Sequence, residues 1–228
     1  MRRLPPLKAA ILAAFLLVNS AVDAAPPGWS FLYERDGFEA FEYQGTPVAY
    51  RAEGTVDVDI LELAAVLVDV PRRTEWVSHL VENRLLEGDP QGHQVVYSRY
   101  ALPWPIKDRD AVVESSVELD ETRGWVHVQF WNVRSAAAPE RRDCLRVPLS
   151  EGDFTLEDTG HGAVKVTYTI RLDPGGWLPD WVVRIFVRDA PAVTLRAFKA
   201  QVLKTRGQYE DFLAPYPARR APAGAASN

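Results

Sequence analysis

The stretch Leu102-Pro103-Trp104-Pro105-Ile106-Lys107-Asp108-Arg109-Asp110 lies between two apolar runs, His93 to Leu102 and Ala111 to Leu119. Each proline fixes φ and lacks an N–H, so the first strand cannot extend its ladder and the segment must form a rigid, exposed connection. The next strand starts at Arg109-Asp110, read as a structural pair that fixes the base of the loop. Further on, Asp173-Pro174-Gly175-Gly176-Trp177-Leu178-Pro179-Asp180-Trp181 ends another strand and opens the last helix, with the glycines for the turn and Pro179 at the helix entrance. Neither stretch has the make-up of a catalytic motif.

Outward from these two signatures the chain alternates in period two. Strands are predicted over Val81 to Leu86, His93 to Leu102, Ala111 to Leu119, Trp125 to Val133, Cys144 to Leu156 and Val164 to Leu172, separated by turn sequences such as Gly88-Asp89-Pro90 and Gly160-His161-Gly162. Upstream, Glu39 to Tyr43 and Val48 to Val56 read as two more strands, while Trp29, Phe31, Leu32 and Phe38 surround a short helix or turn. Asp59 is placed to cap a helix that has Glu62 three residues on and runs to Pro71, followed by a helical turn through Trp76 and Val77. The chain closes with a helix from Pro179 to Tyr209, kinked near its middle by Pro191. The expected class is α+β: a curved antiparallel sheet around a long C-terminal helix.

Composition and termini bound the function. Met1 to Lys8 is basic, Ala9 to Val18 is apolar, and Val22-Asp23-Ala24 offers a small-residue cleavage site, which predicts a signal peptide over residues 1–24 and an exported, periplasmic protein. One domain is expected over residues 25–214, with a disordered tail over 215–228. The formal net charge is −5, and loss of residues 1–24 leaves 23 basic against 30 acidic residues, or −7. Such a balance disfavours nucleic acid and strong adsorption to anionic membranes. The single cysteine, Cys144, excludes an internal disulfide. The four histidines show no metal-ligand spacing, and there is no nucleophile elbow, phosphate loop or dinucleotide fingerprint. No catalytic residue, metal or cofactor is assigned.

Strand alternation nominates an inner face. It carries Val113, Ser115 and Val117 from one strand, Val128, Phe130 and Asn132 from the next, Tyr168 and Ile170 from the last, and Val182 and Phe186 from the helix. In His93 to Leu102 both faces hold a mixture, Val95, Tyr97, Arg99 and Ala101 on one and Val96, Ser98, Tyr100 and Leu102 on the other.

The Pro-Trp-Pro loop with its Arg-Asp pair and the Gly-Trp-Leu-Pro helix entry together resemble the START family of lipid transfer domains, over about Gly28 to Gln208. The resemblance implies a helix-grip fold with an internal hydrophobic cavity that holds a single lipid, sterol or phospholipid, and carries it between membranes; the acidic balance makes the expected membrane contact transient, and a monomer is expected. It is similar over Val95 to Asp110 to the phosphatidylcholine carriers of that family, whose matching tyrosine faces the lipid; this implies that Tyr97 and Arg99 point inward. It also implies a gate at the proline loop, with Trp104 at its tip and Arg109 at its base. A helix-grip enzyme acting on a hydrophobic small molecule and a lipid-sensing module stand as alternatives.

Overall fold

Ten strands form one open sheet among the described residues of the computed structural model, which cover 25–45, 48–89, 92–120 and 122–215. The expected signal peptide over residues 1–24 and all but the first residue of the expected tail lie outside them. In chain order the strands are β1 (Ser30–Arg35), β2 (Phe38–Tyr43), β3 (Ala49–Val56), β4 (Leu80–Gly88), β5 (His93–Tyr100), β6 (Asp108–Asp120), β7 (Trp125–Asn132), β8 (Cys144–Arg146), β9 (Leu149–Asp158) and β10 (Val164–Asp173). The order across the sheet is β1-β2-β3-β10-β9-β7-β6-β5-β4, antiparallel throughout, with β8 added parallel to the start of β6. β1 and β4 are the free edges.

Helix α1 (Ile60–Val68) starts where Asp59 accepts a hydrogen bond from the Leu61 N–H, at 2.8 Å. A 3-10 turn over Val70–Glu75 comes next. The C-terminal segment comprises α2 (Asp180–Val183), a π turn (Arg184–Arg188), α3 (Ala190–Thr205) and the short α4 (Glu210–Leu213). α1, α3 and the concave face of the sheet share the main core, in which Leu63, Leu156, Leu195, Phe198 and Val202 are fully buried. The helix-grip expectation holds.

Four local expectations do not hold. The segment around Phe31 is strand β1, paired with β2 through Phe31 opposite Phe41, because its aromatic residues find partners across the ladder. The run Cys144 to Leu156 is two strands: Pro148 has no N–H to give, and the chain steps from pairing with β6 to pairing with β7. Pro191 does not kink the final helix but sits in the first turn of α3, where its missing N–H costs nothing, and the break falls before it in the π turn. Arg109 and Asp110 do not pair with each other; neighbours on a strand point to opposite faces. Asp110 instead receives Nε and Nη2 of Arg146, at 2.9 and 3.1 Å.

A second, smaller core lies on the convex face. The connection between β7 and β8 folds back over β5 and β6, and its Ala138 packs with Val95, Tyr97 and Val112. Arg146 ties this strap down by donating to the Ala138 carbonyl as well as to Asp110. β5 is therefore covered on both sides.

Candidate functional site

Where the π turn crosses the concave face, sheet and helix separate and leave a cavity of about 340 Å³. Its wall is built by β5 (Val96, Ser98, Tyr100), β6 (Arg109, Ala111, Val113, Ser115), β7 (Val128, Phe130), β9 (Ser150, Phe154) and β10 (Tyr168, Ile170, Leu172), closed by Leu178, Ile185, Phe186, Val187 and Val193 from the C-terminal segment. Leu67, Arg73, Trp76, Val77 and His79 complete the end nearest α1. Two small residues face one another on this wall: Ser98 lies opposite Ala111 across the β5–β6 ladder. The stacked rings of Phe154 and Tyr168, with centroids 4.1 Å apart, form a flat apolar floor.

A polar band crosses this wall. Arg73 donates through Nε and Nη2 to the Leu67 carbonyl, at 3.2 and 2.7 Å, and through Nη2 to Gln94 Oε1 at 3.2 Å. It thus covers the Leu67 carbonyl at the C-terminal, negative end of α1, while Gln94 Nε2 donates to the Val68 carbonyl beside it. Burial pulls its pKa down to about 10, so the guanidinium stays charged at neutral pH. Burial raises the pKa of the Tyr100 and Tyr168 hydroxyls, so both remain neutral donors. Trp76 lies against Phe198 in a tilted contact, ring centroids 5.4 Å apart, and its buried indole Nε1 has no hydrogen-bond partner among the described residues.

Arg109 belongs to the other end. Its Nε, Nη1 and Nη2 donate to the carbonyls of Pro174, Lys107 and Gly175, at 2.6, 2.6 and 2.9 Å. One buried side chain thereby joins the proline loop to the loop that enters α2. The tips of both loops project outward, with Trp104 at 93% and Trp177 at 84% exposure, and Trp181 and Ile185 are exposed beside them. On the third side of the opening the His79 ring lies on Phe186, centroids 4.3 Å apart.

The candidate residues divide accordingly. Val113, Ser115, Val128, Phe130, Tyr168, Ile170, Phe186 and Arg109 line the cavity. Val117 packs against the main core, and Val182 is fully buried, neither reaching the cavity wall. Asn132 closes backbone, accepting from the Ser150 N–H and donating to the Val147 carbonyl. Tyr97 and Arg99 point the other way, a correction of the inward placement. Tyr97 lies in the convex cluster beneath the Arg84 guanidinium, 4.9 Å from its ring, and Arg99 pairs with Asp108 at 2.6 Å. The cavity takes the opposite register of β5, Val96-Ser98-Tyr100. Arg73 and Trp76 are site residues that sequence reasoning misses; their spacing of three, on one side of a helical turn, is the available signal.

Among the described residues no group of three or more His, Cys, Asp or Glu side chains is arranged to hold a metal ion. His93 bonds Glu114 on the surface, and His127 approaches Asp153, 3.7 Å away, on the convex face. None of the described helices is long and apolar enough to cross a membrane.

An open antiparallel sheet gripping a C-terminal helix over an apolar cavity defines a helix-grip cavity protein. Within that class the chain belongs to the START domain family, whose model matches residues 14–204. It is 28% identical over 201 residues to an uncharacterised protein of Pseudomonas aeruginosa, covering 87% of this chain and 98% of that one. It is 29% identical to the phosphatidylcholine transfer protein of Bos taurus over 161 residues, 68% of this chain and 75% of the other. It spans 56% of START domain-containing protein 10 of Homo sapiens, at 28% identity. Among solved structures, the STAR-related lipid transfer protein of Xanthomonas axonopodis superposes with a TM-score of 0.68 at 26% identity, covering 77% of this chain and 99% of that one.

Proposed function

We propose that this protein binds one lipid molecule in the cavity between sheet and C-terminal helix and transfers it between membranes. The observation that carries this reading is the cavity itself: an apolar interior that the fold leaves unfilled at Ser98, Ala111 and Ser115, with a narrow polar band on its wall. That is the build of a small-molecule site, which needs extensive apolar contact and a few placed donors. Burial contributes ~0.8 kcal/mol per methylene, so a sixteen-carbon chain supplies on the order of 12 kcal/mol before the entropic cost of binding. Membership of the START family and similarity to proteins named as lipid transfer proteins support the same reading.

The membrane enters through the two loops that Arg109 joins. Trp104 and Trp177 stand exposed at the tips of segments whose inner residues, Leu102, Pro174 and Leu178, line the cavity. Indole rings partition into the interface between headgroups and acyl chains, so these tips can rest on a bilayer while the opening faces it. The contact is brief, because the chain is acidic overall and only the tips engage. The protein works as a monomer in the periplasm, a location supported by the basic, apolar and small-residue pattern of residues 1–24.

The test is transfer of a fluorescent phospholipid or sterol from donor to acceptor liposomes. The protein accelerates transfer well above the spontaneous rate, and the double variant Trp104→Ala, Trp177→Ala slows it while lipid occupancy at equilibrium is kept. No acceleration with any lipid class overturns the transfer reading. An unchanged rate in the double variant removes the docking role of the two loops.

A further inference from the structure

The size of the interior is set by side chains that are themselves packed. Phe130, Phe154 and Tyr168 face the cavity from β7, β9 and β10, with ring centroids 6.3 Å apart for Phe130 and Tyr168 and 4.1 Å apart for Phe154 and Tyr168. Phe154 continues this file of rings to Phe198 of α3, at 6.2 Å. Behind Phe198 the main core begins, with Leu156, Leu195 and Val202 fully buried. On the other side the cover packs Val182 and Val187 inward, so lifting it would bring apolar surface into water. A close-packed interior does not deepen by small adjustments, and neither boundary moves without displacing buried side chains.

The space between these boundaries is about 340 Å³. A water molecule takes ~30 Å³ in its liquid and a close-packed methylene on the order of 25 Å³, so the cavity accommodates roughly fourteen methylenes. At the same density a glycerolipid with two such chains and a headgroup needs on the order of 1,000 Å³, and a sterol roughly 700 Å³. A second space, bounded by Ile60, Leu61, Leu119 and Trp125, does not admit a water molecule and offers no room for another chain. Resting on the lipid-carrier reading, we propose that the cargo is a lipid with a single hydrocarbon chain of about fourteen carbons, a fatty acid or a monoacyl lipid, and that two-chain lipids and sterols are too large to enter. Phe154 is the side chain that sets the limit: it is only partly buried, and its ring fills the gap between β9 and α3.

The experiment is competitive loading. Purified protein is equilibrated with palmitoyl-oleoyl phosphatidylcholine vesicles that contain equal amounts of myristic acid, monomyristoylglycerol, myristoyl lysophosphatidylcholine, dimyristoylglycerol, dimyristoyl phosphatidylcholine and cholesterol. The protein is then re-isolated and its lipid extracted and quantified. Each single-chain lipid that loads is enriched over the two-chain lipid with the same polar end, and over cholesterol, by roughly tenfold or more. Loading of myristic acid alone identifies the cargo as a free fatty acid, and loading of the monoacyl lipids as well identifies the chain as the recognised part. In a second series, saturated fatty acids from decanoic to icosanoic acid are offered one at a time, and uptake passes through a maximum near myristic acid.

Phe154→Ala frees roughly 100 Å³ and moves that maximum up by about four carbons. Phe154→Leu keeps more of the packing and moves it by about two, so the prediction stands on a second variant if the first does not fold. A role of Phe154 in stability alone would lower the melting temperature and leave the maximum where it is. Equal or preferential loading of the two-chain lipids or cholesterol, an uptake profile without a maximum, or a maximum that stays fixed in the folded variants overturns the proposal while leaving the carrier reading in place. Uptake of none of these lipids overturns the carrier reading itself.

Discussion

Replacing Arg109 with methionine would leave the carbonyl oxygens of Lys107, Pro174 and Gly175 without their donor in a site where little water reaches them. The expected loss is about 3 kcal/mol or more of unfolding free energy, the cost of breaking buried charge-assisted bonds. Denaturant titration measures it. Arg99→Met is the control: the Arg99–Asp108 pair is partly exposed, and its loss should cost no more than about 1 kcal/mol. Tyr97→Phe tests the register of β5. The Tyr97 hydroxyl is buried with no partner, so removing it should leave stability unchanged or raise it slightly, and lipid loading should not change. Weaker loading in Tyr97→Phe would put this residue back on the cavity side. Alternation could not settle that register because the strap at Ala138 buries the convex face of β5 as the helix side buries the concave one. A strand covered on both faces loses its polar side, and with it the signal that orients it. β10, and β6 beyond Val112, where Glu114, Ser116 and Glu118 keep a polar convex side, were legible: Val113 and Ser115, Tyr168 and Ile170 line the cavity as alternation nominates them.

The C-terminal segment divides into a fixed half and a cover. Glu75 anchors the end of α3, accepting from Lys204 Nζ at 2.9 Å and Gln201 Nε2 at 3.0 Å as well as from Arg72. These donors hold the Glu75 carboxyl well below the usual carboxylate range, the Arg72 bond first among them. A depressed folded-state pKa means that the contribution to stability is present above the ordinary value near ~4.3 and fades as the pH falls below it. Glu75→Gln should therefore lower the melting temperature at pH 7, and the gap from the parent should shrink on acidification below about pH 4. A gap independent of pH would show that the carboxylate charge is not what fastens α3. The cover, α2 with the π turn, packs Val182 and Val187 inward and has polar ties at its ends, from Arg109 to the Pro174 and Gly175 carbonyls and from the Tyr33 hydroxyl to Asp189 Oδ1 at 3.3 Å. Pro191 marks a break in this helix at the level of sequence, yet the discontinuity falls one turn earlier. A proline ends the helical turn before it more readily than it bends the helix it begins, and its own first turn needs no donor. The π turn itself has no sequence signature in Arg184-Ile-Phe-Val-Arg188.

At the scale of the molecule, most of the architecture is set by two turns and a parity. The proline loop and the Gly-Gly-Trp-Leu-Pro entry place the meander and the closing helix, and the strands between them alternate. Alternation does not give the distance between sheet and helix, because that depends on how the π turn crosses the concave face and on how small the side chains are beneath it. Ala111 probes that distance. Its side chain points into the cavity, so Ala111→Phe should fill space already empty, with a stability change within about 1 kcal/mol and strongly reduced lipid uptake. A loss of several kcal/mol would mean that the space is not free to be filled.

The central claim is that this interior holds a single lipid, and native mass spectrometry of the protein purified under gentle conditions, with extraction and identification of any bound molecule, tests it most directly. The account predicts a mass increment of one lipid per chain that Ala111→Phe removes. A bare mass that stays bare after incubation with vesicles of mixed fatty acid, phospholipid and sterol would contradict it.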